Sequence, residues 1–239
     1  MSNYPYGSQS QPAWIDGRTA ETAERERSFI RSVYGWMFGG LMLTAGAALW
    51  VVLSPAMQAL IFGNRAVMWG LLIAEVGLVM FLSFRITRMS AGAAAASFLV
   101  YSLLSGLTLS SIFFVYTAGS IASAFVTAAG MFGAMSVYGM VTKRDLTSWG
   151  AFFSMGLIGV LICMVVNIFL KSSILGFAAS LIGVVVFVGL TAYDTQTLKS
   201  YATSRELREN LAVFGALRLY LDFVNLFLML LRLFGGNRR

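Results

Sequence analysis

Long stretches without a charged residue constrain this chain more than any other feature of its sequence. Residues 32–64, 89–142, 146–170 and 172–193 contain no Asp, Glu, Lys or Arg. An α-helix needs about 20 predominantly apolar residues to cross the hydrocarbon core of a bilayer. These runs do not alternate polar and apolar residues as the strands of a membrane β-barrel do. The sequence therefore predicts an all-α polytopic membrane protein.

Seven segments are long and apolar enough to be predicted as transmembrane helices. They are Val33–Leu53, Ala66–Phe84, Gly92–Tyr116, Ile121–Val141, Trp149–Leu170, Ile174–Leu198 and Leu211–Leu231. Residues 1–30 are polar and mixed in charge, so they are predicted to form an N-terminal tail. Residues 31–236 then make up a seven-helix membrane domain, and residues 237–239 a short basic C-terminal tail.

The positions of Lys and Arg predict the orientation of these spans, because cytoplasmic loops carry an excess of both residues. With a cytoplasmic N-terminus, the bases of the inner segments are Arg18, Arg25, Arg27, Arg31, Arg85, Arg88, Lys143, Arg144, Lys199, Arg205 and Arg208. Those of the outer segments are Arg65, Lys171, Arg232, Arg238 and Arg239. The bias predicts a multi-pass protein with its N-terminus in the cytoplasm. If the seventh segment re-enters rather than crosses, the C-terminus is cytoplasmic as well, and the sequence leaves this open.

The composition excludes several classes of function. The chain has no histidine and one cysteine, Cys163, so it can build neither a Ser-His-Asp triad nor an internal disulfide. Its net charge of +7 does not indicate nucleic-acid binding, because the basic residues lie between spans, where they determine the orientation of the helices in the membrane. No cofactor is expected. Proton or ion chemistry in this chain has to be carried by carboxylates.

Four ionisable residues lie inside predicted spans: Glu75, Asp194, Arg218 and Asp222. A charge at membrane depth costs several kcal/mol, so each is a candidate functional residue. Asp194 and Asp222 lie on consecutive antiparallel helices and are predicted to meet. Two carboxylates in a dry site cannot both ionise cheaply, so the pair would share a proton and respond to pH. Arg85, at the end of the second span, is either a positive-inside anchor or a side chain that snorkels toward these acids.

Structural roles compete with these functional ones. Asp194 could cap a helix end or be solvated there. Asp222 could form an ion pair with Arg218, which lies one helical turn earlier on the same face. Glu75 could be an acid that only supports packing through hydrogen bonds, and Asn225 could share the face of Asp222. Small residues at helical spacing, in the pairs Gly35/Gly39 and Gly156/Gly159, are predicted to mediate close helix packing.

Three motifs resemble those of a known family. They are Ser105–Ser110 in the third span, Gly189–Gln196 in the sixth, and Leu219–Leu228 followed by Leu230–Arg232 in the seventh. With the order of the spans, they make residues 30–236 similar to the Bax inhibitor-1 family, also called the transmembrane Bax-inhibitor-motif family, and in particular to its bacterial inner-membrane branch.

The resemblance implies a seven-helix fold with the seventh helix central and the activity of a pH-sensitive calcium leak channel. It implies that Asp194 and Asp222 are the proton-sharing pair that gates the pore and that contacts calcium transiently. It also implies an auxiliary role for Glu75 and a latch arginine beside Arg85. Arg218 departs from the family pattern, which has Ser or Thr there. A cation at this position would favour the ionised aspartates and could oppose cation passage.

Three functions follow from these features. The leading hypothesis is a pH-gated pathway for calcium ions across the bacterial inner membrane. The alternative is a non-conducting interaction protein that modulates an inner-membrane protease or a stress response through its N-terminal tail. An enzyme is not expected: Tyr193-Asp194 is similar to the first half of an intramembrane aspartyl protease, but residues 219–222 are not the Gly-x-Gly-Asp of its second half.

Overall fold

The computed structural model describes residues 13–203 and 209–235, and these residues form nine α-helices. The predicted tail at 237–239 lies outside the described residues. The helices are α1 (Ala13–Leu53), α2 (Pro55–Phe62), α3 (Arg65–Arg85), α4 (Ala91–Leu109), α5 (Ile112–Val115), α6 (Ala118–Val141), α7 (Thr147–Leu170), α8 (Ser173–Thr203) and α9 (Glu209–Phe234). Seven segments are long and apolar enough to cross a membrane, α4 and α5 together counting as the third. The prediction of an all-α polytopic membrane fold is confirmed.

Two short features within the apolar regions were not predicted from the sequence. The eight residues of α2 form a separate helix, which begins at Pro55 after the side chain of Ser54 accepts a hydrogen bond from the Met57 amide. The third span is interrupted between α4 and α5, where the Ser110 hydroxyl donates to the Leu107 carbonyl at 2.6 Å. Serine hydroxyls that bond to nearby backbone groups compete with the regular helix. Neither feature changes the apolar character on which the prediction of spans rests.

The first helix is much longer than a single span requires. Its 41 residues correspond to about 60 Å, roughly twice the thickness of the hydrocarbon core. The boundary drawn at residue 30 therefore lies within α1. Phe29 is buried, and Glu26 Oε1 lies 3.7 Å from Lys199 Nζ on α8. The lysine also donates to the Met140 carbonyl of α6 at 3.0 Å, so Lys199 contacts both the extension of α1 and α6.

The last helix, α9, is the most buried of the spans. In the apolar 18-residue stretch of α9, 67% is buried inside the protein, whereas the corresponding stretches of α3 and α7 are each 6% buried. It packs against α1, α4, α6 and α8. Its aromatic side chains make edge contacts with Phe98 on α4 and Phe132 on α6. The central position of this helix stays a prediction, which these contacts support.

The described α9 is one unbroken helix of 26 residues, or about 39 Å. A re-entrant segment would need a turn near the middle of this stretch, where the structure has continuous helix. The length therefore favours a full crossing over re-entry.

The glycines predicted to mediate close packing are mostly not at helix contacts. A Cβ added at Gly35, Gly39 or Gly159 would meet nothing within 4 Å. One at Gly156 would lie 2.9 Å from the Val186 side chain, so this glycine alone does what was predicted. Helical spacing places the two glycines of a pair on one face of a helix, but it does not determine whether that face contacts another helix or lipid.

Other glycines allow the backbones of neighbouring helices to approach. A Cβ at Gly106 on α4 would collide with the carbonyl oxygen of Thr44 on α1, and one at Gly139 on α6 with that of Ala192 on α8. Ala192 lies two residues before Asp194. The fit of α6 against α8 therefore helps to fix the height and rotation of α8 at this aspartate.

We expect Gly139→Ala to destabilise the protein by about 1–3 kcal/mol, because the added methyl group meets backbone that cannot rotate away. The matched control is Gly133→Ala on the same helix, where an added Cβ would meet nothing within 4 Å. The measurement is thermal unfolding of both variants in the same detergent. Equal unfolding temperatures for the two variants would show that the approach of α6 to α8 is not tight at Gly139.

Candidate functional site

Asp194 on α8 and Asp222 on α9 meet inside the helix bundle, as predicted. They are buried, with 4% and 5% of their surface exposed. Their carboxyl groups lie within hydrogen-bonding reach of each other. The Asp222 Oδ2 atom is buried and has no hydrogen-bond donor among the described residues. Since two ionised carboxylates have no proton to share, a proton held between them is the simplest way to satisfy this arrangement.

Arg218 on α9 lies beside the two aspartates and is the only cation there among the described residues. Its Nη2 atom lies 2.8 Å from Asp194 Oδ1, and its guanidinium lies over the Phe214 ring at 5.7 Å. The arginine side chain is 29% exposed, whereas that of Asp194 is 6% exposed. The ion pair thus joins a buried carboxylate to a cation at the edge of the packed region. We refer to Asp194, Asp222 and Arg218 as the acid–base triad.

The geometry corrects two structural interpretations of these residues. Asp194 is not a solvated helix end, because α8 continues past it for more than two turns, to Thr203, and buries its carboxyl. Arg218 makes its direct ion pair with Asp194 across the helix interface and not with Asp222 on its own helix. Spacing of four residues allows an ion pair within a helix but does not fix it when another carboxylate faces the same side chain.

Glu75 lies in a second polar cluster, whose other members are on α4. Its Oε1 accepts a hydrogen bond from the Ser105 hydroxyl at 2.5 Å, and its Oε2 accepts one from Thr108 at 2.8 Å. Both hydroxyls are on one face of α4, three residues apart. The two hydroxyl donors thus supply a hydrogen-bond partner to each oxygen of the Glu75 carboxyl group. Among the described residues, no hydrogen bond or ion pair joins Glu75 to the acid–base triad.

This second cluster extends to α1 and α9 through a buried tyrosine. The Tyr220 hydroxyl and the Thr44 hydroxyl lie 2.7 Å apart. Thr44 also bonds to the Ser102 carbonyl of α4 at 2.8 Å. Tyr220 is fully buried and lies two residues before Asp222, so one stretch of α9 contributes to both clusters.

Two of the predicted site residues form no hydrogen bond or ion pair with the aspartates among the described residues. Arg85 is exposed at the C-terminal end of α3, and it is Arg218 that makes the ion pair with Asp194. Asn225 donates to the Leu221 carbonyl of its own helix at 2.8 Å, so its amide is used within α9. The predicted latch and auxiliary roles of Arg85 and Asn225 thus have no counterpart in these contacts.

Sequence reasoning did not assign a role to Ser105, Thr108, Thr44 or Tyr220. A signal was available for the first two, since Ser105 and Thr108 lie one turn apart in the span that follows the span of Glu75. Hydroxyls on neighbouring helices are the expected partners of a carboxylate in a membrane. For Thr44 and Tyr220 the pairing depends on how α1 and α9 are rotated, which the sequence does not specify.

The chain is similar to known proteins over almost its whole length. The family model for the inhibitor of apoptosis-promoting Bax1 matches residues 26–239. The inner membrane protein YbhL of Escherichia coli K12 is 54% identical over 217 residues, which cover 89% of this chain and 93% of that protein. Uncharacterized proteins of Rickettsia prowazekii and Borreliella burgdorferi are 45% and 43% identical, and the matches cover 91% and 94% of their lengths.

The range matched by the family model extends over all seven spans and contains the positions of the acid–base triad. The family expected from the three sequence motifs is therefore the family found. The chain belongs to the Bax inhibitor family and is an integral, multi-pass inner-membrane protein.

Proposed function

We propose that this protein is a pH-sensitive leak pathway for calcium ions, gated by the proton shared between Asp194 and Asp222. The observation that carries this proposal is the buried contact of two carboxyl groups on neighbouring spans with one arginine beside them. Buried ionisable groups in a span are costly, and they mark ion or proton pathways far more often than they serve packing.

The charges of the acid–base triad explain how a proton could act as a gate. With one shared proton, the triad contains one carboxylate and one guanidinium, so it is neutral overall. Loss of the proton leaves two carboxylates against one cation in a water-poor site. The repulsion between them and the uncompensated charge change the packing of α8 against α9 and raise the attraction for a cation.

The residues at this site suit transit of calcium better than storage. Calcium takes six to eight oxygen ligands in stable sites. Among the described residues, no three His, Cys, Asp or Glu side chains gather closely enough to hold a metal ion. Asp194 and Asp222 would therefore contact a passing ion briefly, with water and backbone oxygens as its other ligands. In this proposal Arg218 is the competing cation that a calcium ion has to displace.

The proposal includes an orientation with the N-terminus in the cytoplasm. It rests on the excess of Lys and Arg at the end of the bundle that contains the N-terminal half of α1 and the α6–α7 turn. A cysteine placed in the exposed α6–α7 turn should then react with impermeant thiol reagents only after the cells are opened.

The test of the proposal is calcium flux into proteoliposomes, measured with an enclosed indicator dye at a series of pH values. We expect wild-type protein to give a flux above that of protein-free vesicles and to change it with pH. The double variant Asp194→Asn/Asp222→Asn should lose the pH response. The matched control is Asp145→Asn, which alters an exposed acid that accepts hydrogen bonds from Thr147 at the start of α7. Wild-type flux equal to that of empty vesicles would overturn the proposal and favour the non-conducting interaction protein.

A further inference from the structure

A groove at one end of the bundle lies between the α7–α8 turn and the end of α9. Its volume is about 970 Å³, in the range of sites that hold ligands. Tyr116, Lys171 and Arg232 line it together with the exposed apolar side chains of Ile174 and Phe177. The groove thus combines two cations with apolar surface at the place where spans end.

The walls of the groove are set by tight local packing. Lys171 ends α7 with a left-handed backbone conformation, φ 50°, which lets the chain reverse directly into α8. At the end of α9, a Cβ added at Gly235 would collide with the Tyr116 ring. The side-chain amide of Asn167 lies close to Gly176, where an added Cβ would be 3.1 Å from Nδ2. The two bases therefore lie on closely packed segments, Lys171 in the α7–α8 turn and Arg232 near the end of α9.

This end of the bundle contains no acidic side chain. Phe62 of α2 contacts Phe114 of α5 at 5.2 Å, so the loop around α2 lies at the same end as Tyr116. None of residues 54–64, 110–117, 171–172 and 232–235 is Asp or Glu. Arg232 Nη1 lies 3.7 Å from Met164 Sδ, and among the described residues neither Lys171 nor Arg232 forms an ion pair with a carboxylate. The charge at this end is uniformly positive, so the group that complements it is an anion.

We propose that this groove binds an anionic phospholipid, with its phosphate between Lys171 and Arg232 and its acyl chains along Ile174 and Phe177. An anionic lipid matches both features of the groove. Its headgroup is complementary to the two basic side chains, and its acyl chains cover the apolar side chains that face the bilayer. Basic side chains near a membrane surface attract anionic lipids by about 1 kcal/mol each. The site is separate from the acid–base triad and does not depend on calcium conduction.

The experiment is native mass spectrometry of delipidated protein titrated with phosphatidylglycerol or phosphatidylcholine. We expect wild-type protein to bind phosphatidylglycerol more tightly. Lys171→Gln/Arg232→Gln should weaken that binding by about ten- to thirty-fold and weaken phosphatidylcholine binding much less, because the choline cation offsets the charge of its phosphate. Lys143→Gln/Arg144→Gln removes the same charge from the exposed α6–α7 turn and should bind as wild type does. Lys171→Arg/Arg232→Lys, which keeps both charges, should retain the preference.

Two further arms distinguish a lipid from a free anion and from adventitious binding. Glycerol 3-phosphate carries the phosphate without acyl chains and should bind far more weakly than phosphatidylglycerol. Phe177→Ser should weaken binding of both lipids, since it shortens the apolar wall. The proposal would be overturned if wild-type protein bound the two lipids with equal affinity. It would also be overturned if Lys171→Gln/Arg232→Gln and Lys143→Gln/Arg144→Gln lost the same amount of phosphatidylglycerol binding, or if glycerol 3-phosphate bound as tightly as phosphatidylglycerol.

Discussion

Arg218→Gln protein is expected to unfold at a clearly lower temperature than wild type at pH 7. The substitution removes the cation that lies 2.8 Å from Asp194 and leaves a buried carboxylate without a counter-charge. Breaking a buried ion pair from one side costs about 3–5 kcal/mol. The loss should shrink as the pH falls, because a protonated Asp194 no longer needs the cation. Thermal unfolding in detergent at pH 5 and pH 7 measures both effects.

The double variant Arg218→Gln/Asp194→Asn tests the cause of this loss. Removing both charges leaves no unpaired ion, so the double variant should recover most of the stability that Arg218→Gln loses. With Asp194→Asn as the second single variant, the four proteins form a double-mutant cycle whose coupling energy measures the ion pair. Arg144→Gln, on the exposed α6–α7 turn, is the control for loss of one positive charge. If Arg218→Gln unfolds at the same temperature as Arg144→Gln, the ion pair with Asp194 contributes nothing to stability.

Asp222→Asn protein is expected to lose the whole pH-dependent part of its calcium flux. Asparagine has the shape of a protonated aspartic acid and keeps a hydrogen-bond donor toward Asp194, but it cannot release a proton. The variant should therefore show, at every pH, the flux that wild type shows at the acidic end of its response. Measurement of flux in proteoliposomes at several pH values makes the comparison directly.

Asp222→Glu is the matched variant, since it keeps a titratable group at the same position. It should retain a pH response whose midpoint differs from that of wild type. An Asp222→Asn protein that still responds to pH as wild type does would place the proton sensor elsewhere, and Glu75 with its two hydroxyl partners would be the next group to test.

The spans were predictable because a transmembrane helix requires a long run of apolar residues, and the length of such a run can be read from the sequence. Each of the seven predicted segments falls on helical structure, and the ends differ by a few residues except at the start of α1, which lies well before the predicted Val33. The third span differs in another way, since its apolar run continues through the interruption at Ser110 and Ser111. Hydropathy does not register a change of backbone conformation within apolar sequence, so the interruption and α2 were both missed.

The contents of the site were predictable, but its pairings were only partly so. The cost of a charge at membrane depth singled out Glu75, Asp194, Arg218 and Asp222 without any structure. Which of them touch depends on how each helix is rotated about its axis. That rotation is set by contacts such as Gly139 against Ala192, and these are not encoded in the spacing of the charges.

The burial of Asp194 was underestimated for a related reason. The apolar run of the sixth span weakens at Lys199, which placed the aspartate near a membrane surface. In the structure the extension of α1 covers this part of α8, with Phe29 buried and Glu26 beside Lys199. A segment that was predicted to be a polar tail thus packs against the part of α8 that follows Asp194.

The contrast in burial between α9 and the helices α3 and α7 determines how freely each can vary in sequence. Val76 on α3 and Ile158 on α7 are each 58% exposed, so any apolar side chain of suitable length satisfies their surroundings. Leu226 on α9 is fully buried, and a change of volume there disturbs several packed neighbours. Mutational tolerance should therefore be wide along α3 and α7, except at Glu75, and narrow along α9.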